Sequence, residues 1–198
     1  MTNRPLQKGF SLIEVLIALA LGALVLMVAV PAFAAYRRHA AVRIASTELR
    51  SIFHLARMRA IARSANCGVK FSVARNGRWT WSIYDDGDND GVLNDDIARG
   101  TDRRVSGPFE ILSRGIARIG LPPVAVTNPD GDVMKAGSSP VVFGTSTICS
   151  FSQLGSATPG SIYFTDDAAE LYVVRVFAPT AKIRTLRYNG GSKKWESR

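Results

Sequence analysis

Histidine and cysteine are scarce in this 198-residue chain, two of each. His39 and His54 form no cluster with Cys67 and Cys149, so neither the ligand spacing of a zinc site nor a Ser/His/Asp triad is in prospect. The paired acids Asp95-Asp96 and Asp166-Asp167 have no base, nucleophile or metal-binding histidine near them in sequence, and turn propensity accounts for them. No enzyme is expected. There is also no internal repeat, no low-complexity tract and no second domain boundary. Cys67 and Cys149 fit either a disulfide of an exported domain or two buried free thiols, and their number leaves both open.

What is abundant is positive charge, 25 Lys and Arg against 16 Asp and Glu, a formal net of +9. Arginines crowd 37–63 and basic residues crowd the tail from Lys182, whereas acids crowd Asp85 to Asp96. Such asymmetry suits a polyanion, a membrane surface or an acidic partner, although a solvated surface needs no partner at all.

One long apolar run is present. Residues 1–9 are polar, with Arg4 and Lys8 and no acid; 10–35 are almost wholly apolar, with Glu14 the only charge. A bilayer core takes about 20 apolar residues in a helix, so 10–35 can span it. The run is too long for the apolar part of a signal peptide. The leading basic residues favour a cytoplasmic N-terminus with the remainder exported, although Arg37 and Arg38 just beyond the run oppose that rule. A carboxylate within such a run is costly and normally marks function, unless it lies near enough to the interface to snorkel.

Lys8-Gly9-Phe10-Ser11-Leu12-Ile13-Glu14 resembles the class III signal of type IV pilins and type II secretion pseudopilins. The resemblance implies that prepilin peptidase cuts between Gly9 and Phe10, that Phe10 is then N-methylated, and that Glu14 pairs with a neighbouring subunit's N-terminal amine. It also puts Pro31 where many pilins have a helix-softening proline, so a helix break is expected there.

Beyond Tyr36 the helical period continues to about Ser64: Val42, Ala45, Leu49, Ile52, Phe53, Ala56 and Ala60 make an apolar stripe, with Arg43, Arg50 and Arg57 flanking it. The period then changes to two. Strands are expected at 69–73, 79–84, 109–112, 116–119, 141–143, 161–165, 171–177 and 182–188, the first two joined through Asn76-Gly77. The expected fold is α+β: leader 1–9, transmembrane helix 10–35, amphipathic stem 36–64, and a β-rich domain 65–198. The Ala/Arg-rich stem leading into a strand, Gly160 to Thr165, Leu171 to Phe177, and Ala181-Lys182-Ile183-Arg184 are similar to H-type minor pseudopilins and FimT-like minor pilins. That likeness implies two β-sheets packed on the C-terminal half of the helix. It also implies other pseudopilins or pilins, prepilin peptidase and the inner-membrane assembly platform as partners, in a single-pass inner-membrane protein with its domain in the periplasm.

Two further patterns carry chemistry. Asp86-Gly87-Asp88-Asn89-Asp90-Gly91 is the front half of a calcium loop, with Asn94 and Asp96 as further oxygen donors. Ile97 stands at the twelfth position, where an acid is expected, and a solvated acidic hairpin is the competing reading. In FimT-like pilins a C-terminal Gly-Arg-x-Arg motif helps bind DNA; Ala181-Lys182-Ile183-Arg184 keeps only its two positive charges. Arg187, Lys193 and Lys194 would add phosphate contacts, with Tyr188 and Trp195 to stack on bases. Charges on an edge strand also deter aggregation without any ligand. Three readings follow: a minor pseudopilin of type II secretion, a minor pilin of a type IV pilus with or without DNA capture, and a membrane-anchored calcium-dependent module that never polymerises.

Overall fold

Helix α1, Leu12–Arg63, opens the computed structural model, which describes residues 11–111, 116–135, 137–168 and 170–197. Ser11 caps it: its Oγ accepts the Glu14 N–H at 3.3 Å, half of a capping box. The expected break at Pro31 is absent, and α1 runs through it. Proline removes one backbone donor and crowds one carbonyl; the long helical runs on both sides outweigh that single defect. The helix stops in a Schellman motif. Ser64 takes φ +50°, its N–H reaches the Ile61 carbonyl, and Ala65 N–H reaches that of Ala60 at 3.2 Å.

The chain divides into two units, Met1–Arg37 and Arg38–Arg198. The first, as far as it is described, is the apolar part of α1. Its large side chains stand bare, from Leu12 (81% exposed) to Phe33 (63%).

In the second unit the rest of α1 is followed by β1 (Cys67–Val73), β2 (Trp79–Asp85), α2 (Asn94–Arg99), β3 (Arg103–Glu110), β4 (Arg118–Ile119), β5 (Val126–Thr127) and β6 (Val133–Met134). Then come β7 (Val141–Phe143), β8 (Ile148–Phe151), β9 (Gly160–Thr165), β10 (Leu171–Phe177), β11 (Lys182–Asn189) and β12 (Lys194–Ser197). One sheet has the order β3-β2-β1-β8; the other has β12-β11-β10-β9-β4, with β7 also on β9; β5 and β6 make a small third sheet. All pairings are antiparallel.

The expected α+β architecture is therefore present, and the apolar stripe of α1 makes its core. Val42, Ala45, Leu49, Phe53, Ala56 and Ala60 are fully buried. Phe53 lies at the centre, its ring 6.0 Å from Phe71 of β1 and 5.9 Å from both Phe143 of β7 and Phe151 of β8. It thus joins the helix to both large sheets.

The β1–β2 turn forms around Asn76-Gly77 as its residues require. Gly77 takes φ +76° and Asn76 Oδ1 accepts the Arg78 N–H. Elsewhere the strand limits move. The strand expected at 109–112 is β3, ending at Glu110, with Leu112 outside the described residues; that expected at 116–119 shortens to β4. Helix α2 and strands β5, β6, β8 and β12 were not legible as elements. β12 is a polar strand, Lys-Trp-Glu-Ser, that exists because Trp195 packs against Tyr163 and Tyr188 and its Nε1 donates to the Thr127 carbonyl at 2.7 Å.

Candidate functional site

Four places bear the residues singled out from sequence: the start of α1, the acidic loop between β2 and β3, the cysteines of β1 and β8, and strand β11 with its neighbour.

Gly9 and Phe10 lie outside the described residues. Glu14 stands in the first turn of α1, exposed, as the one charge on a surface of leucine, valine and isoleucine. A continuous bare apolar face of this extent is foreign to a soluble monomer and marks a membrane or helix-packing surface. The segment is long and apolar enough to cross a membrane.

The acidic loop is built from its carboxylates. Asp86 Oδ1 accepts the N–H groups of Asp88 and Asn89, and Oδ2 accepts that of Gly91 at 2.7 Å and the Asn66 amide at 2.6 Å. Burial would push the Asp86 carboxyl up, but these donors, Asn66 first, hold it below the usual range. Asp102, which sequence reasoning missed, is buried and accepts from Gly87 N–H at 3.2 Å and Leu93 N–H at 2.9 Å. Desolvation raises its pKa, with the charges of Asp86 and Asp96 adding to the rise. Gly87 is obligatory, because a Cβ there would lie 2.1 Å from the Thr101 carbonyl oxygen.

The structure gathers Asp88, Asp90 and Asp96, with carboxylate oxygens mutually within 4.8 Å, and separately Asp86, Asp88 and Asp102 on the same criterion. The Asp90 carboxyl is raised, first by desolvation and then by repulsion from Asp88, Asp96 and Asp86. Asn94 starts α2 with its side chain exposed. No sequence signal points to Asp102; only the turn of α2 brings the chain back to the loop.

The cysteines do not pair. Cys67 and Cys149 are both free and buried. They sit on adjacent strands, but Cys67 faces Phe151 and Cys149 faces Val69. Such diagonal neighbours are about 7–8 Å apart, beyond the Cα spacing of a disulfide.

The basic strand is less available than its composition suggests. Lys182 and Arg184 are exposed on one face of β11, and Arg184 lies over the Phe177 ring at 5.8 Å. Arg187, expected among the free cations, is instead committed: its Nε and Nη2 donate to the two Glu170 oxygens at 3.1 and 3.0 Å. Glu170 is 4% exposed and also meets His39 Nδ1 at 2.9 Å, so this trio ties α1 to the second sheet. A carboxylate so buried requires its partners. Tyr188 and Trp195, expected to be open for stacking, pack on each other within a small apolar cluster that holds Tyr163 and Val173. Lys193 and Lys194 remain exposed.

Comparisons with known proteins agree with this reading. Residues 4–30 match the model of the prokaryotic N-terminal methylation motif, and residues 45–179 match that of type II transport protein GspH. Searches of curated proteins and of solved structures each found no match. The methylation motif coincides with the apolar part of α1, which anchors the chain in a membrane. The GspH match takes in the stem stripe from Ala45 and both large sheets through β10, so the chain belongs to the GspH family and is a type IV pilin-like pseudopilin.

Proposed function

We propose that the chain is a minor pseudopilin, a structural subunit of the type II secretion pseudopilus rather than an enzyme. On this reading prepilin peptidase cuts between Gly9 and Phe10, Phe10 is methylated, and the inner-membrane assembly platform lifts the subunit into a filament with other pseudopilins. The domain stands in the periplasm. The observation that carries the reading is Glu14, a lone carboxylate on the bare apolar part of α1, within a chain matching both the methylation motif and GspH. In hydrocarbon a carboxylate is costly. A neighbouring subunit's terminal amine satisfies it only when the helices stack in one register, which turns that cost into a register device.

The test is Glu14→Ala in a strain with active prepilin peptidase. Membrane fractionation should be unchanged, intact mass should show loss of Met1 to Gly9, and co-purification with other pseudopilins should fall together with secretion. Normal co-purification in the variant, or a mass that retains the leader, overturns the assembly reading.

A second reading, a FimT-like minor pilin that binds DNA, is favoured by one observation: Lys182 and Arg184 are exposed side by side on β11.

A further inference from the structure

Asp96 is the anomaly of the acidic loop. Its side chain is 1% exposed, yet only one carboxylate oxygen has a partner: Oδ1 accepts from Arg99, and Oδ2 is buried with no hydrogen-bond donor. A buried ionised oxygen left unpaired is expensive, and native structures nearly always satisfy such atoms with protein, water or an ion. Nor does the surrounding structure supply a donor. Five of the loop's backbone N–H groups are already used: those of Gly87 and Leu93 go to Asp102, and those of Asp88, Asn89 and Gly91 go to Asp86. What Asp96 meets instead is more negative charge, the carboxylates of Asp88 and Asp90 within 4.8 Å.

We infer that Asp88, Asp90 and Asp96 bind one divalent cation, calcium, with Asp86 and Asp102 holding the loop in the shape that brings them together. The chemistry of the donors decides the ion. Three carboxylates and no nitrogen or sulfur suit a hard cation, and an irregular loop with exposed Asp88 and Asp90 suits the loose coordination of calcium better than the strict octahedron of magnesium. Asp96 replaces the acid missing at the twelfth position: it stands one residue earlier, and the first turn of α2 carries it inward. Without a bidentate glutamate the site is weak, with a dissociation constant of about 0.1–1 mM, in the range of extracellular modules. Its consequence is local. The ion would fix the β2–β3 connection, which packs against β8 through the Val92 N–H bond to Ser150 Oγ.

The experiment is thermal melting of the full-length protein in detergent, stripped with a chelator and then given 10 mM calcium chloride or 10 mM magnesium chloride. Calcium should raise Tm by about 3–6 °C, and magnesium by much less. Asp96→Asn should melt no lower than the wild type in chelator, because its amide oxygen can still accept from Arg99 while the partnerless oxygen beside Asp88 and Asp90 is removed, and should lose the calcium response. Asp95→Asn, an exposed acid on the same helix, should keep the response. If Asp96→Asn fails to fold, the exposed Asp88→Asn must lose the response in its place. The proposal is overturned by an absent calcium shift, by an equal shift with magnesium, or by an undiminished shift in the Asp96 or Asp88 variant.

Discussion

Cys67 and Cys149 lie on neighbouring strands of one sheet, out of register with each other by one diagonal step, Cys67 opposite Phe151 and Cys149 opposite Val69. Two buried residues this close invite a disulfide on paper, and the register withholds it. Burial pushes the Cys67 thiol up to about 12, with Asp85 adding to the rise, and pushes Cys149 well above the ordinary thiol value. Neither forms a useful amount of thiolate near neutral pH.

Denaturing alkylation of protein purified without reductant should therefore label two thiols, and native alkylation none. A mass two hydrogens short before reduction would mean that the strands slide to join them. Replacing both by serine places hydroxyls in the core and should destabilise. Replacing both by alanine should fold with a smaller loss.

Arg59 on α1 grips Asp85 at the end of β2 through two bonds of 2.7 and 2.8 Å, and Arg63 approaches the same carboxylate at 3.3 Å. The Arg59 bond is the main reason that the Asp85 carboxyl titrates below its ordinary value. A carboxylate with a depressed folded pKa contributes stability above its unfolded pKa, about 4, and loses it as pH falls through the folded value. Arg59→Met should lower stability by about 1–2 kcal/mol near neutral pH and flatten the loss of Tm below about pH 4. Parallel acid profiles for variant and wild type would show that the pair contributes nothing to acid sensitivity.

Arg187 separates stability from DNA binding. Arg187→Met leaves Glu170 buried with His39 alone and should cost about 2–4 kcal/mol in chemical denaturation. Fluorescence anisotropy on a short duplex should then compare Lys182→Ala/Arg184→Ala with Arg103→Ala/Arg104→Ala, an equal removal of charge on β3. Binding should be micromolar or weaker, fall steeply with salt, and weaken equally in the two double variants, as attraction to net charge requires. A selective loss on β11 would favour the DNA-binding pilin instead.

Much of the fold was legible in the residues. Val42, Ala45, Leu49, Phe53, Ala56 and Ala60 announce a buried helix face because the helical period brings them to one side. Asn76-Gly77 announces its hairpin because few other pairs tolerate that backbone. The short elements were not legible. β12 has no strand composition and depends on Trp195 finding Tyr163 and the Thr127 carbonyl, contacts distant in sequence. The same holds for the cations. Arg187 looks as free as Lys182 in the chain, and only the pairing of β10 with β11, which sets it opposite Tyr172, brings it within reach of Glu170 just before β10.

By itself the sequence determined what depends on local spacing: the apolar span with Glu14 inside it, the signal around Gly9 and Phe10, the stem stripe, and the Asp-rich turn. These are one-dimensional patterns, set by residues within a few turns or one loop of each other. Tertiary structure alone decided which of the remaining charges and thiols meet. It kept Cys67 from Cys149 by a register step, committed Arg187 to Glu170, and buried one unpaired oxygen of Asp96 beside Asp88 and Asp90. Such outcomes depend on the packing of distant segments, where a shift of one residue exchanges every neighbour.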